Sequence, residues 1–254
     1  MPNHVRNQIY VIGDDREHSK IREIAEYVKI DDSYLGTVDF NKLIPMPESL
    51  DIEASSIGEK GLKLYSKYIL QCAAISTAAF SGDISPEQKR KAVIELAEQY
   101  EKMKKDDPAL FELGERYYNN IQKYGCPTWY EWCTANWGTK WNAYDCTPMD
   151  KNSEAIEFNT AWDRVDDILC EISEKFLEIE IRYRWADENL GFNVGEEIFQ
   201  FGDIQEENIP VNGSKEAYEM AADIRGISLK EYGMYYSENS GSYEYQEDMD
   251  EMEL

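Results

Sequence analysis

The chain has 254 residues, with 51 Asp and Glu against 26 Lys and Arg, and its formal net charge at pH 7 is −25. This excess of carboxylates opposes direct binding to a nucleic-acid backbone, because such binding requires Lys and Arg side chains that displace counterions. The length fits one domain with an insertion or two small domains, and a hydrophobic share of 42% is enough for a sizeable core.

The cysteines and the apolar runs argue against two further classes of protein. Five cysteines without short paired spacings do not fit a disulfide-stapled scaffold, whereas reduced thiols fit a cytosolic protein. No signal peptide precedes the first predicted strand, and no apolar run is long enough to span a bilayer. We therefore expect a cytoplasmic location.

The first 54 residues predict a strand, a helix and a second strand. Residues 5–12 alternate apolar and polar side chains up to Gly13, which is typical of a strand with one buried face. Residues 37–44 predict the second strand, which the following prolines end. Between the two strands, helical spacing continues to about residue 29, and its apolar face consists of Ile21, Ile24, Ala25 and Val28.

Residues 55–124 change to helical spacing. Leu62, Tyr65 and Ile69 share one helix face, and Pro86 and Pro108 suit the first turns of two further helices. We interpret this region as a helical insertion within a small sheet domain, with a charged outer surface.

A Trp-rich stretch follows at residues 126–141, CPTWYEWCTANWGTKW, which contains four of the six tryptophans. Pro127 suits the start of a short helix and Gly138 its end. Trp129 and Trp137 fall on one helix face, so we predict that both are core residues and that residues 139–146 continue as a strand.

The same stretch leaves an alternative open, in which its aromatic rings line a ligand pocket. The polar side chains at this pocket would come from the helix and from the strand after it. The residues assigned to the pocket are Trp132, Asn136, Lys140 and Asn142.

Sheet-type alternation returns in the second half of the chain. Strands are predicted over residues 154–162, 178–185 and 191–201, the last connected as a hairpin. A helix begins near Asp163, and its apolar face consists of Val165, Ile168, Leu169, Ile172 and Phe176. Residues 214–225 predict another short helix. From residue 237 the tail is acidic and contains no Lys or Arg, and we expect its final stretch to be disordered or to order on a partner.

Several of these stretches resemble one protein family. They are MPNHVRNQIYVIG at residues 1–13, FNKLIPMPESLDIE at 40–53, CPTWYEWCTANWGTKWNAYD at 126–145 and, more weakly, residues 158–162 and 183–196. Over most of residues 1–202 the chain resembles the YubB-type ferredoxin-like proteins of plasmids and phages. The resemblance implies a βαββαβ antiparallel sheet without iron. It carries over no catalytic residues, because the family has no established activity.

The patterns and the resemblance together predict an α+β fold, a ferredoxin-like βαββαβ antiparallel sheet with a large helical insertion. Residues 1–54 and 125–202 are assigned to the sheet domain and residues 55–124 to the insertion. Residues 203–236 are assigned to a C-terminal helical extension, and residues 237–254 to the acidic tail.

No catalytic, cofactor-binding or metal-binding residue is predicted. His4 and His18 are the only histidines, and neither lies in a known nucleophile motif. The cysteines at 126, 133 and 146 lack the C-x-x-C spacing typical of zinc sites. A metal-assisted hydrolase remains an alternative because aspartates flank predicted strand ends, although without a diagnostic spacing; they are Asp39, Asp145, Asp163 and Asp187.

A nucleic-acid platform on the sheet is also considered, since RNA-recognition modules use the same topology. Such modules require exposed aromatic rings among basic side chains. Four basic residues fit one region, but the negative charge around them argues against this function; they are Arg6, Lys140, Arg182 and Arg184.

We expect a non-catalytic acidic interaction protein of a phage or plasmid that inhibits a host defence complex, of the anti-CRISPR or another anti-defence type. It would bind a basic surface of a host protein or ribonucleoprotein complex in the host cytoplasm, with nucleic-acid mimicry as one means. Direct contact with nucleic acid or a membrane is not expected. The alternatives are a metal-assisted hydrolase and a small-ligand module that uses the Trp-rich stretch. The carboxylates assigned to partner binding are Glu244, Glu247, Asp248, Asp250, Glu251 and Glu253.

Overall fold

The computed structural model describes residues 3–14 and 18–246. The chain divides into two units. The sheet unit comprises Met1–Pro45 and Cys133–Leu254, and the helical unit comprises Met46–Trp132. The helical unit is therefore inserted into the sequence of the sheet unit, and its limits lie outside the predicted 55–124 at both ends. None of the helices in the described ranges has the length and apolarity needed to cross a bilayer.

Strands and helices of the described residues are numbered in chain order. The strands are β1 His4–Ile12, β2 Ala155–Ala161, β3 Glu180–Asp187, β4 Val194–Gln200, β5 Asp203–Asn208, β6 Met234–Ser237 and β7 Ser242–Tyr245. The α-helices are α1 Lys20–Val28, α2 Phe40–Leu43, α3 Ser56–Ser81, α4 Pro86–Asp106, α5 Pro108–Tyr124, α6 Trp129–Trp137, α7 Asp166–Lys175 and α8 Lys215–Arg225. Glu48–Leu50 and Leu229–Tyr232 form short 3-10 helices.

The sheet unit is built on five antiparallel strands in the order β2-β1-β3-β4-β5. Alternation explains β1, because Val5, Ile9 and Val11 are buried on one face of this strand. Helices α1 and α7 pack on that face, and α8 packs on the other face with Ala186 and Val194 in its apolar cluster. The predicted strands at 5–12, 154–162, 178–185 and 191–201 are confirmed, as is the buried face of α1.

The prediction of a second strand over residues 37–44 was wrong. Phe40–Leu43 is a helix, and the Asp39 carboxylate caps it by accepting a hydrogen bond from the Asn41 N–H (3.0 Å). The Asn142 carboxamide oxygen accepts from the Phe40 N–H (2.8 Å). Side chains therefore satisfy the backbone groups that a strand would pair with a neighbour.

The prediction of a strand over residues 139–146 was also wrong. Only Tyr144 pairs, as an isolated antiparallel bridge with Asn159 on the outer side of β2. This bridge takes the place of the second strand of a βαββαβ unit, whose other parts are β1, α1, β2, α7 and β3. The fold is thus ferredoxin-like, with one strand reduced to a bridge and with β4 and β5 added beyond β3.

The C-terminal part of the sheet unit differs from the expected helical extension, and the first part of the acidic tail contains a strand; the final stretch of the tail lies outside the described residues. Residues 203–236 contain strand β5 and strand β6 besides helix α8. Residues 242–245 pair with β6 as a two-stranded hairpin. The sequence analysis did not identify β6 and β7, which have only four residues each.

The helical unit packs chiefly where α3 crosses α5. Methyl groups at Gly61 or Gly114 would overlap the opposite backbone, with a Cβ at Gly114 only 2.1 Å from the carbonyl oxygen of Gly61. Tyr117 is 2% exposed, and its hydroxyl donates to the carbonyl of Glu53. Helix α4 begins with a complete capping box at Ser85 and Gln88, yet it has no buried residue along its described length. The unit therefore relies mainly on the α3–α5 crossing, and Tyr100 of α4 adds ring contacts with Tyr68 and Phe111.

Candidate functional site

Helix α7 presents a stripe of carboxylates to solvent. Its buried face carries Ile168, Leu169 and Ile172, which pack toward the sheet. Positions i, i+4 and i+7 lie on one side of a helix, and here Asp167, Glu171 and Glu174 occupy these positions and are exposed. The amphipathic period that anchors the helix thus also aligns its negative charges.

Strand β5 is the edge of the sheet next to this helix. All six of its residues are exposed, and three are carboxylates: Asp203, Glu206 and Glu207. A register shift between Ile198 and Phe199 of β4 leaves Gln205 without a cross-strand partner. The Gln205 side-chain amide instead donates to the carbonyl of Gln200 (3.0 Å). Among the described strands, β5 pairs with β4 only, and it contains a bulge at Gln205.

A two-residue turn brings β5 against the end of α7. Phe201 and Gly202 have φ values of +57° and +82°, as in the type I′ turns of tight hairpins. The Gly202 N–H donates to the Ser173 hydroxyl (3.0 Å), and a methyl group at Gly202 would lie 3.5 Å from the Cβ of Glu174. The turn is thus hydrogen-bonded to the helix, and we call the exposed carboxylates of the two elements the α7–β5 face; they are Asp167, Glu171, Glu174, Asp203, Glu206 and Glu207, with Glu206 on the side of the sheet opposite Glu207.

The thiol of Cys170 lies within this set of charges. Partial burial and the carboxylates of Asp167, Asp166, Asp203 and Glu197 raise its pKa to about 11. Carboxylates of α7, β4 and β5 therefore all raise the pKa of the Cys170 thiol. A thiol with such a pKa stays protonated near neutral pH, so Cys170 does not have the character of a nucleophile.

A buried carboxylate lies behind the exposed ones. Glu197 on β4 is 1% exposed and stands opposite Tyr183 of β3 and Glu207 of β5. Burial, and then the charge of Asp166, raise the pKa of Glu197 to about 7, although the nearby Arg164 guanidinium opposes the shift. The Glu197 Oε1 lies 3.2 Å from Arg164 Nη1, but neither carboxylate oxygen has a well-aligned hydrogen bond among the described residues.

One arginine thus serves two carboxylates. Arg164 Nε also bonds Asp166 Oδ2 (2.8 Å), and its guanidinium lies over the Trp185 ring, 4.4 Å from the centroid. Burial raises the pKa of Asp166 against the effect of Arg164. Within residues 163–175 and 203–208 there are eight carboxylates and two basic side chains. This part of the sheet unit therefore keeps a net negative potential that attracts cationic groups.

In the pocket assigned from the Trp-rich stretch, the Asn142 side chain is already used in hydrogen bonds within the fold. Asn142 Nδ2 donates to Asp39 Oδ1 (2.7 Å), and its oxygen accepts the backbone N–H groups of Phe40 and Ala143. The side chain of Asn142 therefore holds α2 in place. Lys140 lies between two indole rings, with its Nζ 4.7 Å from the Trp141 centroid and 5.3 Å from that of Trp162.

The remaining residues of the stretch separate into core and partly exposed positions. Trp137 is 3% exposed and donates from Nε1 to the carbonyl of Ile44 (2.9 Å), which confirms its core assignment. Trp132 is also buried. Trp129 is only half-buried, so its assignment to the core was wrong, and Asn136 is half-buried as well.

Of the carboxylates assigned to partner binding in the tail, one is described. Glu244 lies on β7 and is partly buried. The other five lie outside the described residues: Glu247, Asp248, Asp250, Glu251 and Glu253. Their assignment stays a prediction.

The sheet face on the side of α8 does not offer the basic platform of an RNA-recognition module. Arg6 pairs with Glu157 (2.6 Å), and Arg184 pairs with Glu196 (3.1 Å) and Asp223 (2.6 Å). Arg182 lies over the Tyr10 ring at 5.3 Å. Carboxylates on the same surface therefore neutralise two of the three guanidinium groups.

The α7–β5 face was not predicted from the sequence, although signals for it exist. The spacing of acidic residues in DDILCEISE, residues 166–174, places three of them on the face opposite the apolar one. Alternation in β4 also places Glu197 on the same side as Phe199. Strand β5 has no comparable signal, because both of its faces are exposed. No group of three or more His, Cys, Asp or Glu side chains in the described ranges could hold a metal ion.

Comparison with known proteins supports the ferredoxin-like assignment. Residues 137–228, which include α7, β4 and β5, match a family described as the ferredoxin-like domain in Api92-like protein. The chain is also similar to the crystal structure of protein api92 from Yersinia pseudotuberculosis, with 13% identity and a TM-score of 0.35 over 84% of this chain and 99% of that one. No curated protein matches the chain significantly.

Proposed function

We propose that the chain is a non-catalytic interaction protein that binds a basic surface of a partner through its α7–β5 face. The observation that supports this most directly is the convergence of carboxylates from α7, β4 and β5 on Cys170 and Glu197, with Arg164 as the ion-pair partner of Glu197. A basic partner surface would relieve this repulsion. Complementary charge of this kind speeds association and excludes acidic partners.

The partner that fits this chemistry is a nucleic-acid-binding complex. Its basic groove is shaped for a dense line of negative charges, and an acidic protein can occupy that groove without pairing with any base. On the basis of the resemblance to YubB-type proteins of plasmids and phages, we further propose that such a competitor belongs to a mobile element. We therefore propose a host defence ribonucleoprotein of the CRISPR type, or another nucleic-acid-dependent defence complex, as the target.

Competition with nucleic acid tests the proposal. A purified CRISPR effector ribonucleoprotein would be titrated with fluorescent target DNA in the presence of the intact protein, with anisotropy as the readout. We expect the protein to displace the DNA and to lose potency as salt increases, because exposed charges are screened within about 8 Å at physiological ionic strength. Inhibition that does not change between low and high salt would contradict the charge-based mechanism.

Two matched variants locate the binding surface. One neutralises the α7–β5 face with Asp167→Asn, Glu171→Gln, Glu174→Gln, Asp203→Asn, Glu206→Gln and Glu207→Gln. The control removes six exposed carboxylates of the helical unit, namely Glu59, Glu87, Glu95, Glu98, Glu101 and Glu112, as Gln. We expect inhibition to weaken roughly tenfold or more in the first variant only, because six exposed charges at about 0.2–1 kcal/mol each sum to at least about 1 kcal/mol. Equal losses would show that net charge matters and that this face does not.

A second candidate function rests on the rings around Lys140. Trp162 is 37% exposed and has a φ of +76°, an uncommon conformation for a bulky residue that often marks functional sites. With Trp141 it flanks the Lys140 ammonium, as a site for a small aromatic or anionic ligand would. Tryptophan fluorescence during titration with nucleotides checks this. If Trp162→Phe shows the same fluorescence change as the intact protein at saturating nucleotide, the signal comes from another site and this candidate function is contradicted.

A further inference from the structure

Strand β5 has one edge that pairs with β4 and one edge that pairs with nothing in the described chain. Along an antiparallel strand, alternate residues direct their N–H and C=O groups to opposite edges. The outer edge of Asp203–Asn208 therefore presents a row of backbone donors and acceptors that no strand of the described chain pairs with, interrupted by the bulge at Gln205. Such a row is a template for an additional strand.

The side chains of β5 indicate which kind of strand fits. Three of its six residues are carboxylates, and it contains no Lys or Arg. Side chains of directly opposed residues on neighbouring strands lie about 4.5–5.5 Å apart at Cβ. Asp203 and Glu206 are opposed by Gln200 and Ile198 of β4 and share one face of the sheet, whereas Glu207 is opposed by Glu197 and lies on the other face with Ile204. Cationic side chains on the outer side of Asp203 and Glu206 would therefore be favoured.

Apolar contacts are available at the same edge. Ile204 is 41% exposed and Phe201, in the adjoining turn, is 60% exposed. A segment that alternates basic and apolar residues would place its two kinds of side chain on opposite faces of the extended sheet. The charge of β5 and the geometry of its backbone thus both favour an extended segment of alternating basic and apolar residues.

We infer that β5 accepts a basic, extended segment of the partner as a sixth strand of the sheet, with Lys or Arg side chains beside Asp203 and Glu206 on one face and apolar side chains beside Ile204 on the other. This inference rests on the proposed function and gives its structural form. Main-chain hydrogen bonds would hold the segment in place, and the carboxylates would select its charge. The other possible role of these carboxylates is to keep the edge from pairing with a second copy of the chain.

Three synthetic peptides separate strand pairing from charge attraction. The first alternates four lysines with four valines, and the other two are its N-methylated forms, methylated on one or the other set of alternate residues. Methylation removes N–H donors from one edge only. We expect the intact protein to bind the unmethylated peptide and one methylated form at low salt, and to bind the other methylated form at least tenfold more weakly. Calorimetry supplies the affinities.

Hydrogen exchange supplies a readout that does not depend on affinity. The outward amides of Asp203–Asn208 should exchange more slowly when the peptide is bound, and amides of α4 should not change. In the variant with Asp203→Asn, Glu206→Gln and Glu207→Gln we expect binding to weaken about fivefold, because each exposed charge contributes little alone. The variant with Glu87, Glu98 and Glu101 replaced by Gln should bind as the intact protein does.

The remaining outcomes of these experiments would contradict strand addition, the charge-based proposal or both. Equal affinity of the two methylated forms would overturn strand addition and leave the charge-based proposal standing. Equal loss of affinity by the two methylated forms would also overturn strand addition. No binding of any peptide at low salt would contradict both. A β5 variant that self-associates while its peptide affinity stays unchanged would assign the carboxylates to the prevention of edge pairing and overturn the inference.

Discussion

In the sheet unit, Asn7, Thr160 and Tyr183 are fully buried and bonded to one another, whereas α4 of the helical unit has no buried residue along its described length. The Tyr183 hydroxyl donates to Asn7 Oδ1 (2.6 Å), and Asn7 Nδ2 donates to Thr160 Oγ1 (2.9 Å). The helical unit instead relies on glycines that let α3 and α5 touch, and on ring contacts such as Tyr65–Phe111. The buried hydrogen bonds of the sheet unit fix how its strands and side chains are arranged. In the helical unit, the contact between α3 and α5 leaves most of the surface of α4 free to accept substitutions.

The largest expected effect concerns the two tryptophans at the ends of α6. Deleting a buried aromatic side chain usually costs about 3–5 kcal/mol, and we expect this cost for Trp137→Ala in the sheet unit. Trp129→Ala in the helical unit should cost clearly less, because Trp129 is half-buried. Denaturant melts of both variants measure the difference. Equal costs would contradict the contrast between the two units.

The next effect is a pH dependence confined to the sheet unit. Because burial raises the pKa of Glu197 to about 7, the folded protein binds a proton that the unfolded chain has released above about pH 4.5. This group therefore lowers stability as pH rises from about 4.5 to above 7, by roughly 3 kcal/mol in the limit.

Glu197→Gln removes that titration. The intact protein loses stability as pH increases over this window, and the variant does not. The free energy of unfolding of the variant should therefore increase relative to that of the intact protein. Hydrogen exchange of sheet amides at pH 5 and pH 8 reports it, and Glu98→Gln on α4 is the matched control. A constant difference between the variant and the intact protein at both pH values would show that Glu197 is already ionised below pH 5.

The helix contact of the other unit should be less costly to disturb. Gly114→Ala adds a methyl group that overlaps the Gly61 backbone, and overpacking of this kind costs about 1–3 kcal/mol. The better helix propensity of alanine offsets part of that cost. We expect faster hydrogen exchange in α3 and α5 with little change in the sheet strands, while Gln122→Ala on the exposed side of α5 leaves both unchanged.

The smallest expected effect is on α4. Ile94 is 52% exposed, so Ile94→Gln should change the free energy of unfolding by no more than about 0.5 kcal/mol. Thermal melts check this value. A loss of several kcal/mol would show that α4 is covered in solution, and sedimentation of the intact protein would then reveal whether a second copy covers it.

Several elements and the charge of the molecule follow from the sequence alone. Alternation is a local property, and it identified β1, β2, β3 and β4, while helical spacing identified the buried face of α1. Prolines at positions 86 and 108 mark the first residues of α4 and α5. The net charge of −25 needs only a count, and it is the basis of the proposed partner class.

Tertiary structure alone decided where those charges act. Strand β5 has no alternation, and the Phe201–Gly202 turn lacks the Asn-Gly or Asp-Gly pair that usually signals a tight hairpin. Residues 40–43 became a helix because Asn142, about a hundred positions later, bonds the Phe40 N–H. The pKa of Glu197 is raised by its burial and then by the charges of Asp166 and Glu207, which are its neighbours only in the folded chain. Local patterns determine which residues face a core, but only long-range contacts determine which carboxylates meet, since electrostatic interaction depends on distance in space and not on separation along the chain.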